Sequence, residues 1–319
     1  MLFLFWQTNN VDASSSYVVI DAKSGRLLEG NNAYTELPIA SLTKVWTALI
    51  VLDSCDLDEE ITISTKAATQ EGSSLYLQAG EVWTVDSLIH GLLLQSGNDA
   101  AYALAEHTGG SIEGFVQLMN EKIQLAGMEH AHFTNPSGLH DDNHYASAFD
   151  MATMLQLAIQ NKDFYKIASA KKYKPKERNV TWRNKHKLLH YEDDAIAGKT
   201  GFTKRAGRTL ITYFKKGSKE IIVVTLNNSN DWKMHSSLAD KIFSNYEDVK
   251  VVEKGRYKLL NKEVIEVNQD YHLLMNKNEK KQLQNVLHIP RKKDKNSAYF
   301  WNVYINNEIA LRFNVDKIE

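Results

Sequence analysis

The chain has 319 residues, 43% of them hydrophobic and 24% charged, the make-up of a folded protein with a sizeable core. Lys and Arg number 38 against 39 Asp and Glu, and the resulting formal charge of −1 excludes a global field that gathers nucleic acid or anionic membrane. Cys55 is the only cysteine, so no intrachain disulfide can form and stability rests on packing; following an apolar helical run, it reads as a buried or inert thiol.

In chain order, Met1–Trp6 is apolar but too short to span a bilayer. Residues 1–13 read as the remnant of a secretory signal processed near Ala13, with a frayed terminus as the alternative. Tyr17–Asp21 has a buried-strand pattern, Ala22–Gly25 a turn, and Arg26–Leu28 the returning strand. A helix is predicted from Ser41 to about Asp53, with Leu42, Val45, Trp46, Leu49 and Ile50 at helical spacing. Ile61–Ile63 is a short strand, and Thr84 caps a helix through Leu93. Asn98 and Asp99 open another helix, stopped by Gly109-Gly110, and Ser111 caps a third that ends before Gly127. Ser147 and Asp150 form a capping-box-like start for Met151–Ile159. Residues 171–187 are basic and polar, and the run 171–178 within them reads as a solvated flap or a surface attracted to anionic wall polymers, not as a nucleic-acid site. Arg208–Phe214 and Glu220–Leu226 form an antiparallel hairpin, and Ser236–Tyr246 a closing helix.

Strands at both ends of a helical middle predict an α/β (α+β) domain: an antiparallel sheet built from both ends of residues 14–249, flanked by helices, with an all-helical subdomain. From about Lys250 the texture turns to Lys/Asn-rich alternation. Tyr299, Trp301, Val303 and Ile305 share one face of a strand, so residues 250–319 read as a small β-rich domain.

Three motifs carry chemistry: Ser41-Leu42-Thr43-Lys44, Ser96-Gly97-Asn98 and Lys199-Thr200-Gly201. A Ser-x-x-Lys match arises by chance roughly once or twice in a chain this long. Ser169-Ala170-Lys171-Lys172 is such a match, and it leads into the polar basic stretch, whereas Ser41 starts an apolar helix. A serine hydroxyl is a weak nucleophile until a base takes its proton, and Lys44 lies one helical turn from Ser41. Burial and a second cation, Lys199, lower the Lys44 pKa and so make it a base. Ser96 is placed to relay a proton. Asn98 is placed to hold a peptide backbone or orient Lys44, while Gly97 stopping one helix and Asn98 capping the next fits equally well. Lys199 and Thr200 suit a carboxylate, Gly201 admits a close-lying peptide, and the N–H groups of Ser41 and Phe202 suit an oxyanion. His130, His132, His140, Asp141, Asp142 and His144 fall in one loop region without a tight ligand rule; they read as surface or supporting residues, and neither a metal nor an organic cofactor is expected.

In this order the motifs resemble the penicillin-recognising serine enzymes, and in detail the low-molecular-mass D,D-carboxypeptidases, peptidase family S11. Residues 39–44 are similar to that family's nucleophile segment and residues 91–100 to its second motif. Residues 132–139 are similar to its loop after the helical region and residues 197–203 to its third motif. The resemblance covers about Ser16 to Tyr246. It implies Ser41 as acyl-ester nucleophile, Lys44 as base, Ser96 as proton relay and Lys199 as carboxylate anchor. It implies peptidoglycan peptides ending in D-Ala-D-Ala as substrates, β-lactams as inhibitors, and an extracytoplasmic place. A class A β-lactamase has Ser-Asp-Asn where this chain has Ser96-Gly97-Asn98, and a glutamate with no convincing equivalent here. An inactive wall-binding protein on the same fold is the non-enzymatic rival, against which the intact motifs speak. The family's amphipathic C-terminal membrane helix is not visible before Lys317-Ile318-Glu319, so membrane association through it is in doubt.

Overall fold

The computed structural model describes residues 15–260, 262–290 and 299–318. The expected signal remnant, residues 1–13, lies outside the described residues.

A five-stranded antiparallel sheet organises the larger part of the chain. Its strands are β1 (Ser16–Asp21), β2 (Leu27–Asn31), β3 (Ala195–Thr203), β4 (Gly207–Lys216) and β5 (Lys219–Leu226), in the spatial order β2-β1-β5-β4-β3. The amino-terminal strand thus pairs with a strand from the far end of the domain, Val19 opposite Val223. Both faces are covered, which is why β5 reads as a nearly continuous apolar run. On one face Val18, Ile20, Ile222 and Val224 meet the helical layer; on the other Val19, Ile221 and Val223 meet Leu238, Ala239 and Ile242. Each such fully buried aliphatic chain contributes about 1.5–3 kcal/mol.

The helical layer holds α1 (Thr43–Leu52), α2 (Val85–His90), α3 (Asn98–Gly109), α4 (Ile112–Leu125), α5 (Ala148–Ala158) and α6 (Lys162–Ala168). The closing helix α7 (Asp231–Asn245) begins five residues before the expected Ser236, and covers the opposite face. Thr84, Ser111 and Ser147 cap as their sequence context predicts. Only half of the Ser147 capping box forms. The Ser147 hydroxyl accepts from Asp150 N at 3.0 Å, but the Asp150 carboxylate accepts from His130 N and anchors the preceding loop.

The basic run 171–178 is docked rather than a free flap. Lys171, Lys172, Lys174 and Lys176 are in solvent. Between them Glu177 accepts from Thr84 and Ser87 on α2, and Arg178 pairs with Glu81 and donates to the carbonyls of Leu75 and Tyr76. Trp182 is buried and stacks on Trp83. Charge counting missed this because the anchoring groups alternate with the solvated lysines.

Beyond α7 lie β6 (Tyr246–Val252), β7 (Gly255–Lys258), β8 (Val264–Val267), β9 (Tyr271–Asn276), β10 (Gln284–His288), β11 (Tyr299–Ile305) and β12 (Glu308–Lys317). The β6–β9 ribbon and a five-stranded sheet in the order β7-β8-β12-β11-β10 enclose a separate core that includes Ile265, Leu273, Met275 and Val303. The β1–β2 turn clasps this part. The Asp21 carboxylate accepts from Leu274 N at 3.1 Å, and Arg26 pairs with Glu279 at 2.7 Å.

Candidate active site

Ser41 sits in a 3-10 turn, Ala40–Leu42, that runs straight into α1. The helix places Lys44 one turn on, and packing around α1 buries it completely. Its Nζ lies 2.9 Å from Ser41 Oγ, 2.7 Å from Asn98 Oδ1 and 2.6 Å from the Ser137 carbonyl. The last two contacts are pure acceptors: a carbonyl, and an amide oxygen whose orientation is fixed because Asn98 Nδ2 donates to Glu71 O at 2.5 Å. A neutral amine has two protons and one lone pair. In that form Lys44 can direct both protons to Asn98 and Ser137 and turn its lone pair to Ser41 Oγ. Burial first, then the cations of Lys199 and Lys185, push the Lys44 pKa well below the usual amine range.

Ser96 follows a π-helical turn, Gly91–Gln95, and adopts a left-handed backbone at φ 65°. The wide turn ends the helix with an abrupt change of direction that brings Ser96 to the same cleft as Ser41. Gly97 is packed so closely that a Cβ there would lie 2.7 Å from Leu75 Cγ. Asn98 is the first residue of α3 but not its cap, since its amide is turned to Lys44 and Glu71; of its two expected roles, orienting Lys44 is the one its contacts match.

Lys199, Thr200, Gly201 and Phe202 lie on β3, the edge strand of the sheet. Lys199 is 2% exposed and donates to Thr200 O at 2.8 Å. Burial, and then the Lys185 cation, bring its pKa down to about 7. A Cβ on Gly201 would lie 2.4 Å from Thr209 Oγ1 and 3.0 Å from Ser41 N, so only glycine lets β3 run this close to the nucleophile. Phe202 is exposed at the rim.

Ser41, Ser96, Lys185, Thr200, Gly201 and Phe202 line a cleft of about 530 Å³, while Lys44, Asn98 and Lys199 are buried and are not among its lining residues. Three contributions were not read from the sequence. Lys185 donates to Gln95 O at 2.6 Å and ties the Ser96 turn to the segment before β3. Arg208 and Asp231 form a bidentate pair, at 2.7 and 3.1 Å, on the cleft wall beside Trp232. Ser137 supplies a main-chain carbonyl, held in place because Asn135 Oδ1 accepts from the N–H groups of Ser137 and Gly138.

The histidine-rich loop sends its side chains apart. His130 meets Glu36, His132 meets the Asn143 carbonyl and His140 meets Asp142. His144 is not a surface residue: it is 3% exposed and meets Thr43. Cys55 is half-buried near Thr108, and burial pushes its thiol pKa up, away from thiolate chemistry. Ser169, the second Ser-x-x-Lys serine, caps the end of α6 and is not among the residues that line the cleft.

Residues 6–230 match the family model of the D-alanyl-D-alanine carboxypeptidases. The chain is 32% identical over 247 residues to D-alanyl-D-alanine carboxypeptidase DacF of Bacillus subtilis, covering 73% of this chain and 63% of that protein. It is 36% identical over 228 residues to DacA of Escherichia coli K12, covering 66% of this chain and 55% of that protein. The chain therefore spans less than two thirds of the length of these relatives. Among solved structures it is similar to penicillin binding protein 5 from Haemophilus influenzae, with a TM-score of 0.82, 25% identity, and 95% and 96% of the two chains covered. From the motifs, the fold they share a cleft in, and these matches, the chain belongs to the D-alanyl-D-alanine carboxypeptidase family, peptidase family S11, the low-molecular-mass penicillin-binding proteins.

Proposed function

We propose that this chain is a serine-type D-Ala-D-Ala carboxypeptidase, acting outside the cytoplasm on peptidoglycan peptides that end in D-Ala-D-Ala. The observation that carries the reading is the set of contacts around Lys44, which holds a fully buried amine of lowered pKa 2.9 Å from Ser41 Oγ.

The substrate lies against the outer edge of β3 as an added strand, which an edge strand with Gly201 admits. Lys199 and Thr200 hold its terminal carboxylate, whose charge favours the protonated form of Lys199. Asn98, with one amide proton left over from Glu71, meets the peptide backbone. Ser41 Oγ attacks the carbonyl carbon of the penultimate D-Ala as its proton passes to Lys44 Nζ. The new oxyanion is met by the N–H groups of Ser41 and Phe202. The C–N bond breaks, the proton returns through Ser96 to the leaving D-Ala amine, and the acyl chain remains on Ser41. Water, deprotonated in turn by Lys44, hydrolyses the ester. A β-lactam offers the same carbonyl and carboxylate and acylates Ser41, and slow deacylation then blocks the site. The chemistry calls for no cofactor.

Residues 14–249 are the catalytic unit in this reading, and residues 250–319 a β-rich appendage. No helix among the described residues is long and apolar enough to cross a membrane. The test is intact-protein mass spectrometry with benzylpenicillin, beside an assay of D-Ala released from a D-Ala-D-Ala peptide. One drug mass added on the peptide that holds Ser41, together with D-Ala release, is expected. An adduct elsewhere, or none with no D-Ala released, overturns the reading.

A further inference from the structure

The residue before the nucleophile is held in an uncommon conformation. Ala40 has φ 49°, in the left-handed region that a residue with a Cβ enters at a cost. Three contacts surround it. Thr209 Oγ1 on β4 donates to Ile39 O at 3.1 Å. Gly138, at φ 81°, passes so close that a Cβ there would sit 1.9 Å from Ala40 O. Thr43 Oγ1 donates to that same Ala40 carbonyl at 2.8 Å.

The Thr43 hydroxyl has one proton, and it goes to Ala40. Its other close partner, His144 Nε2 at 2.7 Å, must therefore donate. The other ring nitrogen agrees: His144 Nδ1 accepts from the Thr134 backbone N–H at 3.1 Å, so the ring proton sits on Nε2. The chain of bonds has one direction, from His144 through Thr43 to Ala40 O. Phe133 packs edge-on against the ring, at 5.1 Å between centroids. Burial brings the His144 pKa down to about 4, which keeps the ring neutral and this tautomer in place.

We infer that His144 is a positioning residue for the nucleophile: through Thr43 it fixes the Ala40–Ser41 peptide so that Ser41 Oγ stays at Lys44 and Ser41 N stays beside Gly201. This rests on the proposed acyl-enzyme reading. Without His144 the Thr43 hydroxyl is free to rotate, Ala40 O loses its directed donor, and the turn relaxes toward an ordinary backbone. His144 touches neither Ser41 nor Lys44 by any hydrogen bond among the described residues, so its effect is geometric.

The experiment measures acylation by benzylpenicillin as two separate constants, the dissociation constant of the pre-covalent complex and the rate constant of acylation. The variants are His144→Phe, His144→Gln, Thr43→Val and the double variant His144→Phe/Thr43→Val. His144→Phe keeps a ring and removes the donor; acylation is expected to slow by about 10²-fold, with the pre-covalent constant within about a factor of two of wild type. His144→Gln sets an amide N–H where Nε2–H was and recovers most of the rate. Thr43→Val slows acylation to a similar degree, and the double variant slows it no further. If His144→Phe does not fold, His144→Gln and Thr43→Val carry the test. Wild-type rates in His144→Phe or Thr43→Val overturn the inference, and so do a glutamine variant as slow as the phenylalanine one or equal losses in both constants. If wild-type protein is itself not acylated at Ser41, the underlying reading falls, and that result is distinct from an acylated wild type with indifferent variants.

Discussion

The four-residue spacing of serine and lysine occurs twice, and the two copies have opposite surroundings. Ser41 stands at the amino-terminal entry to α1, where backbone N–H groups converge and favour developing negative charge. Ser169 caps the carboxyl-terminal end of α6, where carbonyls converge, and its hydroxyl donates to Lys166 O at 3.1 Å. Lys44 is sealed among apolar side chains with its protons directed at fixed acceptors; Lys172 is in solvent. One spacing thus gives a poised base in one place and a surface lysine in the other. Helix polarity and burial make the difference, and neither belongs to the motif.

Three pairs of substitutions sharpen this contrast. The largest effect is expected from Ser41→Ala, which removes all covalent labelling by benzylpenicillin, while Ser169→Ala labels like wild type; mass spectrometry of the adducts checks both, and the reverse pattern would exchange the two serines. Next, Lys44→Arg leaves a group that cannot give up its proton, and acylation slows by roughly 10³-fold. Lys172→Arg is expected to acylate at the wild-type rate, and near-normal acylation by Lys44→Arg would remove Lys44 as the base. The smallest effect is a shift along the pH axis. Lys44 must be neutral to act, so acylation rises with pH as it loses its proton. The Lys185 cation holds that pKa down, and Lys185→Met lets it climb, moving the rise to higher pH. Rate–pH profiles for Lys185→Met and Lys172→Met check this: only the first is expected to move, and an unmoved profile shows that Lys185 serves the Ser96 turn alone.

The sequence makes legible those parts of the site that are local in the chain. Ser41 and Lys44 are one turn apart, Ser96, Gly97 and Asn98 interrupt two helical patterns, and Lys199–Gly201 sits in an apolar strand. The sheet could be expected as well, because Val18–Ile20 is apolar throughout and Ile221–Leu226 is apolar but for Thr225. Ser137 left no trace because it acts through its carbonyl, which every residue possesses. Lys185 was one basic residue among several between Lys171 and Lys187, and only the fold selects it. Arg208 and Asp231 are far apart in sequence and meet across β4 and α7. One weak signal did exist: Arg208 is the sole charge at the start of the apolar run Leu210–Phe214. His144 fell into a group read by residue type, whereas its role follows from a tautomer set by Thr134 N.

The pairing of β1 with β5 carries a consequence for the order of events as the chain is made. Residues 16–21 appear early, yet one of their two partners is residues 221–226. As the chain emerges from its amino end, β1 lacks this partner and Ser41 lacks the neighbouring Gly201 until β3, β4 and β5 follow. Such distant pairing slows folding and prolongs that interval. The cleft is thereby completed late, and a chain cut before Leu226 lacks the strand that closes β1 into the sheet.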